Sequence, residues 1–273
     1  MTNNVKPITC SFDASKVQES IAGVTSSFYI EHLASCPSTN TLVAERADKG
    51  SPSGLVLVTD QQTQGRGRQG RRWISSPNHS LTFSLLWSFA DGQALDGLSL
   101  VVGVAIARGL ESLGLNGITL KWPNDVLYSG GKLGGVLIEV IHNKSRIDVV
   151  IGIGLNLRRD PLWDEIVDQP FSSVEDSSKS LSREDILAAV LSQLNACLDI
   201  FTKNGFVALQ AEWNARNAFA NRWVGAEGEC DENYGLCVGA SNDGTLELRN
   251  CNGQLVYIVA GDVSLRIRPQ FPL

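Results

Sequence analysis

Four arginines fall within seven residues in Gln62-Thr63-Gln64-Gly65-Arg66-Gly67-Arg68-Gln69-Gly70-Arg71-Arg72-Trp73, interleaved with glycines. Glycine lets backbone amides converge on a ligand, and each guanidinium offers a planar fork that fits carboxylate or phosphate. The segment therefore reads as an anion-wrapping loop. Its glycines also fit G-x-G-x-x-G, but Arg71-Arg72-Trp73-Ile74-Ser75-Ser76-Pro77 cannot open the helix that a dinucleotide site requires. A solvated charge run and a nucleic-acid patch are the blander alternatives, and only Trp73 could stack a base there.

A second constellation is Lys121-Trp122-Pro123-Asn124-Asp125, with Lys132 beyond it in a Gly-Gly-Lys-Leu-Gly-Gly run. Pro123 fixes the chain direction, so a cation and a carboxylate can be presented on one rigid turn, and a purely structural turn is the competing reading. The Lys132 segment is not a Walker loop, since neither the upstream glycine spacing nor a Ser/Thr after the lysine is present.

The elements around these motifs alternate between strand and helix signals. Residues 38 to 50 open with hydroxyl capping candidates and stop at Gly50, which predicts a short helix; 55 to 60 and 80 to 87 read as strands on either side of the arginine loop. Residues 97 to 114 read as a buried helix. Strand-like segments follow at 118 to 122, 132 to 140 and 146 to 157, around a turn at Pro123 to Gly131. Ser182 is a capping residue for a helix that runs to Gly205, with Asp185 three residues on. Residues 158 to 181 are loop-like. From about Ala220 the texture changes to short β segments separated by Asn-Asp-Gly and Asn-Gly turns.

Composition narrows the class. The chain has 273 residues, 43% hydrophobic, and carries 23 Lys+Arg against 29 Asp+Glu, a formal charge of −6. That length predicts a principal domain with an appendage, and the net charge argues against general affinity for nucleic acid or anionic membrane. The longest uninterrupted apolar stretch, near Gly97 to Ala107, is too short to cross a bilayer, and the first residues carry no apolar leader, so a cytoplasmic protein with no membrane span is expected. Six cysteines without a C-x-x-C pair read as free, packed thiols. With three histidines and no ligand spacing, no protein-bound metal is expected.

Together the motifs resemble the biotin protein ligases, the biotin–acetyl-CoA-carboxylase ligases. Five segments match in the family's order: Ser38-Thr39-Asn40, the loop Gly65 to Trp73, Lys121 to Asp125, Lys132 to Glu139, and Gly152-Ile153-Gly154-Leu155-Asn156. The resemblance extends from about residue 28 to the C-terminus, where Asn221-Arg222 and Gly261 to Arg266 are similar to the two ends of the family's small barrel. It implies an α+β fold: a class II synthetase-like catalytic domain with a mixed, largely antiparallel sheet and flanking helices, plus a C-terminal SH3-like β-barrel. The expected divisions are a 1–27 extension, a 28–219 catalytic domain and a 220–273 barrel.

The resemblance also implies two half-reactions. Biotin and MgATP give biotinyl-5′-AMP and pyrophosphate; a lysine of a biotin carboxyl-carrier domain of acetyl-CoA carboxylase or a related carboxylase then takes the biotinyl group. Two anions must meet when a carboxylate attacks the α-phosphate, which calls for cations. By carry-over Arg66, Arg68 and Lys132 supply them, with Lys121 and Arg71 nearby, and Asp125 orients cations or assists loss of the acceptor lysine's proton. Ser38, Thr39 and Gln62 are the implied ureido partners. Asn40, Gly65, Arg66, Gly67, Arg68 and Lys132 complete the biotin side, and the biotin tail lies along Gly134 and Gly135. Asn124, Asn156, Trp73, Arg68, Arg71, Lys121 and Lys132 form the implied ATP side. The arginine loop is expected to order over the adenylate as a lid.

The pattern has departures. About 27 residues before the matched region are too few for the winged DNA-binding domain of repressor-type members, so a monofunctional ligase without nucleic-acid binding is expected. Met1 is the only methionine, so the Met-Lys-Met acceptor segment belongs to another chain. The family includes homodimers, and the sequence leaves the choice between monomer and dimer open. A lipoate or octanoate ligase of the same fold, and a non-catalytic nucleic-acid-binding adaptor, are the rival readings.

Overall fold

The computed structural model describes residues 12–23, 28–143, 145–160, 163, 170–177, 179–227, 234–259 and 264–267. The elements in chain order are α1 (Ala14–Ser20), β1 (Tyr29–Cys36), α2 (Thr39–Asp48), β2 (Leu55–Gln62), β3 (Ser80–Ala90), α3 (Leu98–Ser112), β4 (Thr119–Lys121), β5 (Asp125–Tyr128), β6 (Gly131–His142), β7 (Arg146–Asn156), α4 (Arg183–Asn204), α5 (Val207–Ala215), β8 (Trp223–Glu227), β9 (Tyr234–Ala240), β10 (Leu246–Arg249), β11 (Leu255–Ile258) and β12 (Ser264–Ile267).

The first seven strands form one mixed sheet in the order β1-β2-β3-β7-β6-β5-β4. Only β1 and β2 pair in parallel; every other neighbouring pair is antiparallel. The expected mixed, largely antiparallel sheet is thus present. β7 is largely apolar and β3 alternates Ser or Thr with apolar residues from Ser80 to Leu85; both lie at the sheet's centre, with Phe83, Leu85, Val149 and Ile151 fully buried. α3 and α4 cover one face. They approach closely because Gly109 has no side chain: a Cβ there would stand 3.0 Å from the Val190 backbone.

α4 begins as expected. The Ser182 hydroxyl accepts from the Asp185 amide at 3.1 Å, and Gly205 lies just past its end. By length and composition this 22-residue helix could cross a bilayer. Yet Ile186, Leu187, Val190, Leu191, Leu194, Leu198 and Phe201 are all buried in the main apolar cluster, so it is a core helix.

Four elements lie where no helix or strand was anticipated, the edge strand β1 among them. The stretch Pro123 to Gly131, expected as a turn, contains β5. α5 follows α4 after a one-turn break, and α1 lies inside the segment expected to be an extension. Among the described residues of that segment, Phe12, Val17 and Ile21 are buried in the same core cluster as α3 and α4. Asp13 caps α1 by accepting from the Ser15 and Lys16 amides, and its own amide donates to Glu184 at the start of α4.

β8 to β12 form a second, five-stranded antiparallel sheet in the order β11-β10-β9-β8-β12. Its first and last strands in the chain pair with each other, Val224 opposite Ile267. Residues 261 to 263, one half of the expected barrel-end match, lie outside the described residues, as do Cys10 and Cys230. Cys36, Cys197 and Cys237 are buried free thiols, whereas Cys251 is exposed, contrary to the expectation that every cysteine is packed.

Candidate active site

One cleft gathers the predicted motifs. It is floored by the central strands, walled by the start of α2 and the arginine loop on one side, and by Lys121 to Asp125 and β6 on the other.

The head of the cleft is built at the N-terminus of α2. Ser38 is the helix N-cap by position, but its hydroxyl makes no capping bond, and it is buried beside the cleft. Thr39 donates its backbone N–H to Gln62 Oε1 at 2.7 Å, and its hydroxyl lies 3.1 Å from the same oxygen. Gln62 is delivered by the end of β2, and its own amide donates to Ser75 Oγ at 2.8 Å. Hydrogen bonds from Thr63 to Cys36 and from Gln64 to Pro37 tie the loop after β2 to the chain that enters α2. Burial pushes the Cys36 thiol above its ordinary pKa, so this nearby sulfur is not a thiolate nucleophile.

The arginine loop is closed at its base and pinned at points along it. Trp73 donates its amide to Gly65 O at 3.0 Å, and a Cβ on Gly65 would collide with Trp73 O at 2.3 Å, so that position must be glycine. Gly67 donates to Arg71 O at 2.7 Å, and Gln69 and Gly70 turn the tip with φ of 56° and 69°. Arg66, Arg68, Arg71 and Gly67 line the cleft. Arg66 pairs with Glu139 of β6 through one guanidinium nitrogen at 2.9 and 3.0 Å from the two carboxylate oxygens.

The two glycines in Gly152-Ile153-Gly154 lie on one face of β7, two residues apart, and each makes room for a side chain of another motif. A Cβ at Gly152 would lie 2.1 Å from Asn40 Oδ1, and one at Gly154 would lie 2.3 Å from the Trp73 ring. Trp73 is therefore seated on the sheet, with its indole nitrogen 3.4 Å from Thr82 Oγ1. Asn40, expected on the biotin side, lies in the floor with its amide engaged by Ser84, Leu137 and Glu139.

On the opposite wall, Asp125 at the start of β5 and Lys132 near the start of β6 form an ion pair of 2.6 Å. Lys121 ends β4 with its ammonium 5.5 Å over the Phe219 ring. Asn124 donates its side-chain amide to Val136 O at 2.8 Å, closing the turn. Asn156 gives its amide hydrogens to Lys132 O and Ser172 O at 3.0 and 3.1 Å. It braces the wall, and only its Oδ1 is left to meet a nucleotide. Gly135 lines the cleft, but Gly134 does not: a Cβ on Gly134 would strike Gly154 O at 2.4 Å, so this glycine serves strand contact rather than a ligand tail.

Several lining residues had no signal in the sequence. Trp163 and Phe171, from the loop-like stretch, stand edge to face with centroids 5.9 Å apart, with Phe171 bridged to Lys132, and Leu265 of β12 reaches the cleft from the second sheet. Trp122, inside the Lys-Trp-Pro-Asn-Asp motif, is buried and donates its indole N–H to Gly244 O at 3.0 Å, anchoring that motif on the second sheet. Among the described residues no group of three or more His, Cys, Asp or Glu is arranged to hold a metal ion.

The profile of the biotin/lipoate A/B protein ligase family matches residues 33–156. A biotin–[acetyl-CoA-carboxylase] ligase from Mycobacterium tuberculosis is 32% identical, over 92% of this chain and 94% of its own. The bifunctional ligase/repressor BirA of Escherichia coli is 31% identical over 84% of this chain and 71% of its own. Among solved structures, the biotin protein ligase from Aquifex aeolicus in complex with biotin and ATP superposes with a TM-score of 0.74 at 29% identity, covering 88% of this chain and 99% of that one.

Proposed function

The chain belongs to the biotin protein ligase family, and on that premise we propose how its cleft divides the work of activating biotin and passing it on. As a ligase it joins biotin to the α-phosphate of ATP, releases pyrophosphate, and transfers the biotinyl group from biotinyl-5′-AMP to a protein lysine. Magnesium enters with the nucleotide as MgATP.

One observation carries the assignment of roles: a single cleft brings uncharged donors and acceptors together with a set of cations. Ser38, Thr39 and Gln62 offer hydrogen-bonding groups at the N-terminus of α2, where a ureido ring can be held by its carbonyl and N–H groups. Arg66, Arg68, Arg71, Lys121 and Lys132 line the same cleft, and in this reading they gather the biotin carboxylate and the nucleotide phosphates. The cations offset the repulsion between attacking carboxylate and α-phosphate and stabilise charge that grows in the transition state. No enzyme nucleophile is required. Trp73, Trp163 and Phe171 offer aromatic surface for the nucleotide, and Asp125 orients the Lys132 ammonium at 2.6 Å.

In the second half-reaction the acceptor lysine must arrive uncharged, and Asp125 is the carboxylate placed to help remove its proton. We assign the acceptor as the biotin carboxyl-carrier domain of acetyl-CoA carboxylase or a related carboxylase, and the compartment as the cytoplasm, where those carboxylases work. The arginine loop, held at its base by Gly65 and Trp73, acts as the lid that shields the adenylate from water.

Pyrophosphate release from MgATP, compared with biotin, lipoate and octanoate, tests the reading. Release with biotin alone is expected. Preference for lipoate or octanoate would change the substrate while keeping the fold, and release with none of the three acids would overturn the function.

A further inference from the structure

Glu139 belongs to no assigned role, yet two lines of contact end on it. Its carboxylate receives Arg66 of the loop, and its Oε2 accepts from Asn40 Nδ2 at 2.7 Å. From Asn40 a string of short polar contacts leads back to the head of the cleft: Asn40 Oδ1 to Ser84 Oγ, 2.6 Å; Ser84 Oγ to Thr39 Oγ1, 2.7 Å. Thr39, Asn40 and Ser84 are all nearly or fully buried.

Proton counting fixes the direction of this string. Asn40 must turn its nitrogen toward Glu139 and the Leu137 carbonyl, because both are acceptors only, so its oxygen faces Ser84. Ser84 has one hydroxyl proton and spends it on that oxygen. The 2.7 Å contact between Ser84 and Thr39 then holds a proton only if Thr39 is the donor. Gln62 Oε1 is the other acceptor in reach of the Thr39 hydroxyl, but it stands farther off at 3.1 Å and already takes the Thr39 backbone N–H at 2.7 Å, so the shorter Ser84 contact takes the proton. With its proton committed inward, Thr39 Oγ1 can only accept from a ligand, and a chain of aligned hydrogen bonds ending on a carboxylate makes it a stronger acceptor.

We propose that Glu139 is a specificity and positioning residue: through Asn40 and Ser84 it sets the Thr39 hydroxyl as a pure acceptor for an N–H of the ureido ring, while the same carboxylate holds Arg66 beside the cleft. The inference rests on the functional reading above and deepens it. A ureido ring has N–H donors to offer Thr39 and a dithiolane or alkyl chain has none, so the relay discriminates biotin from lipoate and octanoate at the head group.

The test is biotin binding by isothermal titration calorimetry with wild type, Ser84→Ala, Glu139→Ala, their double variant and Glu139→Gln, with MgATP binding measured separately on each. Each alanine variant should raise the biotin Kd about tenfold, the scale of one buried hydrogen bond. The double variant should lose about the same tenfold and not the product, because both cut one relay. Glu139→Gln keeps an acceptor for Asn40 and should bring the biotin Kd back to within about threefold of wild type. MgATP binding tells loss of the relay from loss of the fold; if Ser84→Ala does not fold, Asn40→Ser interrupts the same string. A biotin Kd within twofold of wild type in Glu139→Ala, multiplicative losses in the double variant, or no recovery in Glu139→Gln would each overturn the proposal. Absence of biotin binding in the wild type would overturn the functional reading itself.

Discussion

Lys132 Nζ stands 2.6 Å from Asp125 Oδ1 across the β5–β6 pair, although Asp125 is registered opposite Gly135 and Lys132 opposite Leu127. The register shift between Val126 and Leu127 lets the lysine reach along the strand, and the ion pair packs over Gly135, where a Cβ would make ordinary van der Waals contact at 3.5 Å with both partners.

If Lys132 is a phosphate cation oriented by Asp125, then Lys132→Ala lowers kcat/KM for biotin-dependent pyrophosphate release by about 10- to 100-fold, the worth of one desolvated charged hydrogen bond. Asp125→Asn leaves the cation but frees its direction and costs about tenfold or less. The two losses should not multiply in the double variant, since they act through one ammonium. Initial-rate measurements of pyrophosphate release decide it, and fully multiplicative losses would separate the two residues.

The arginine loop gives a prediction that trypsin reads directly. Arg66, Arg71 and Arg72 are exposed, and the loop is tied mainly at Gly65, Gly67 and Trp73. A lid that orders over bound adenylate must shield these bonds, so cleavage within 66–72 should slow about tenfold or more with biotin plus MgATP, relative to the free protein. Equal cleavage rates in both states would exclude closure of this loop.

α1 is part of the catalytic core. Val17 and Ile21 are buried against the cluster that α4 completes, Phe12 stacks on His32 with centroids 5.1 Å apart, and Arg183 lies over the Phe12 ring. Val17→Ala should therefore cost about 2 kcal/mol of unfolding free energy, and Val17→Asp more, because a charge would be left in an apolar site. Urea unfolding of the full chain measures both; a change under about 0.5 kcal/mol in Val17→Asp would show that this segment adds nothing to the fold.

Much of the site was legible because its motifs are contiguous in sequence. The arginine loop, Lys121 to Asp125, Lys132 and Gly152-Ile153-Gly154 each announce themselves by residue type and short spacing, and all meet in one cleft. The elements that escaped were those with mixed exposure. β1 is an edge strand whose side chains are largely exposed or half-buried, so it shows neither an apolar run nor clean alternation; α5 is short and starts at Phe206 without a polar cap. The Thr39–Ser84–Asn40–Glu139 relay could not be read at all, because Asn40 and Glu139 are 99 positions apart and Ser84 is one of several hydroxyl residues in β3, with nothing to single it out. At Gly134 the structure adds a reason the sequence could not give: close approach of β6 to β7 leaves no room for a Cβ there.

Asp243 gives the pH dependence that the structure predicts most directly. Hydrogen bonds from the Ser241 hydroxyl and then from Thr245, whose amide donates at 2.9 Å, hold its carboxyl well below the ordinary 3.8, at about 2. A carboxyl depressed in the folded state contributes stability that is complete above the unfolded value near 3.8 and is lost as pH falls from there through about 2. The turn it closes carries Gly244, whose carbonyl receives the Trp122 indole, so acid should loosen the second sheet's hold on the Lys-Trp-Pro-Asn-Asp motif within that same window. Carboxyl-carbon NMR should place the Asp243 midpoint near 2 in wild type, and nearer 3.8 in Ser241→Ala, where the Ser241 hydrogen bond is gone. Thermal unfolding of Asp243→Asn should be less steep in pH between 4 and 2 than that of wild type. A wild-type midpoint at the ordinary carboxylate value would remove the turn from any account of the protein's acid sensitivity.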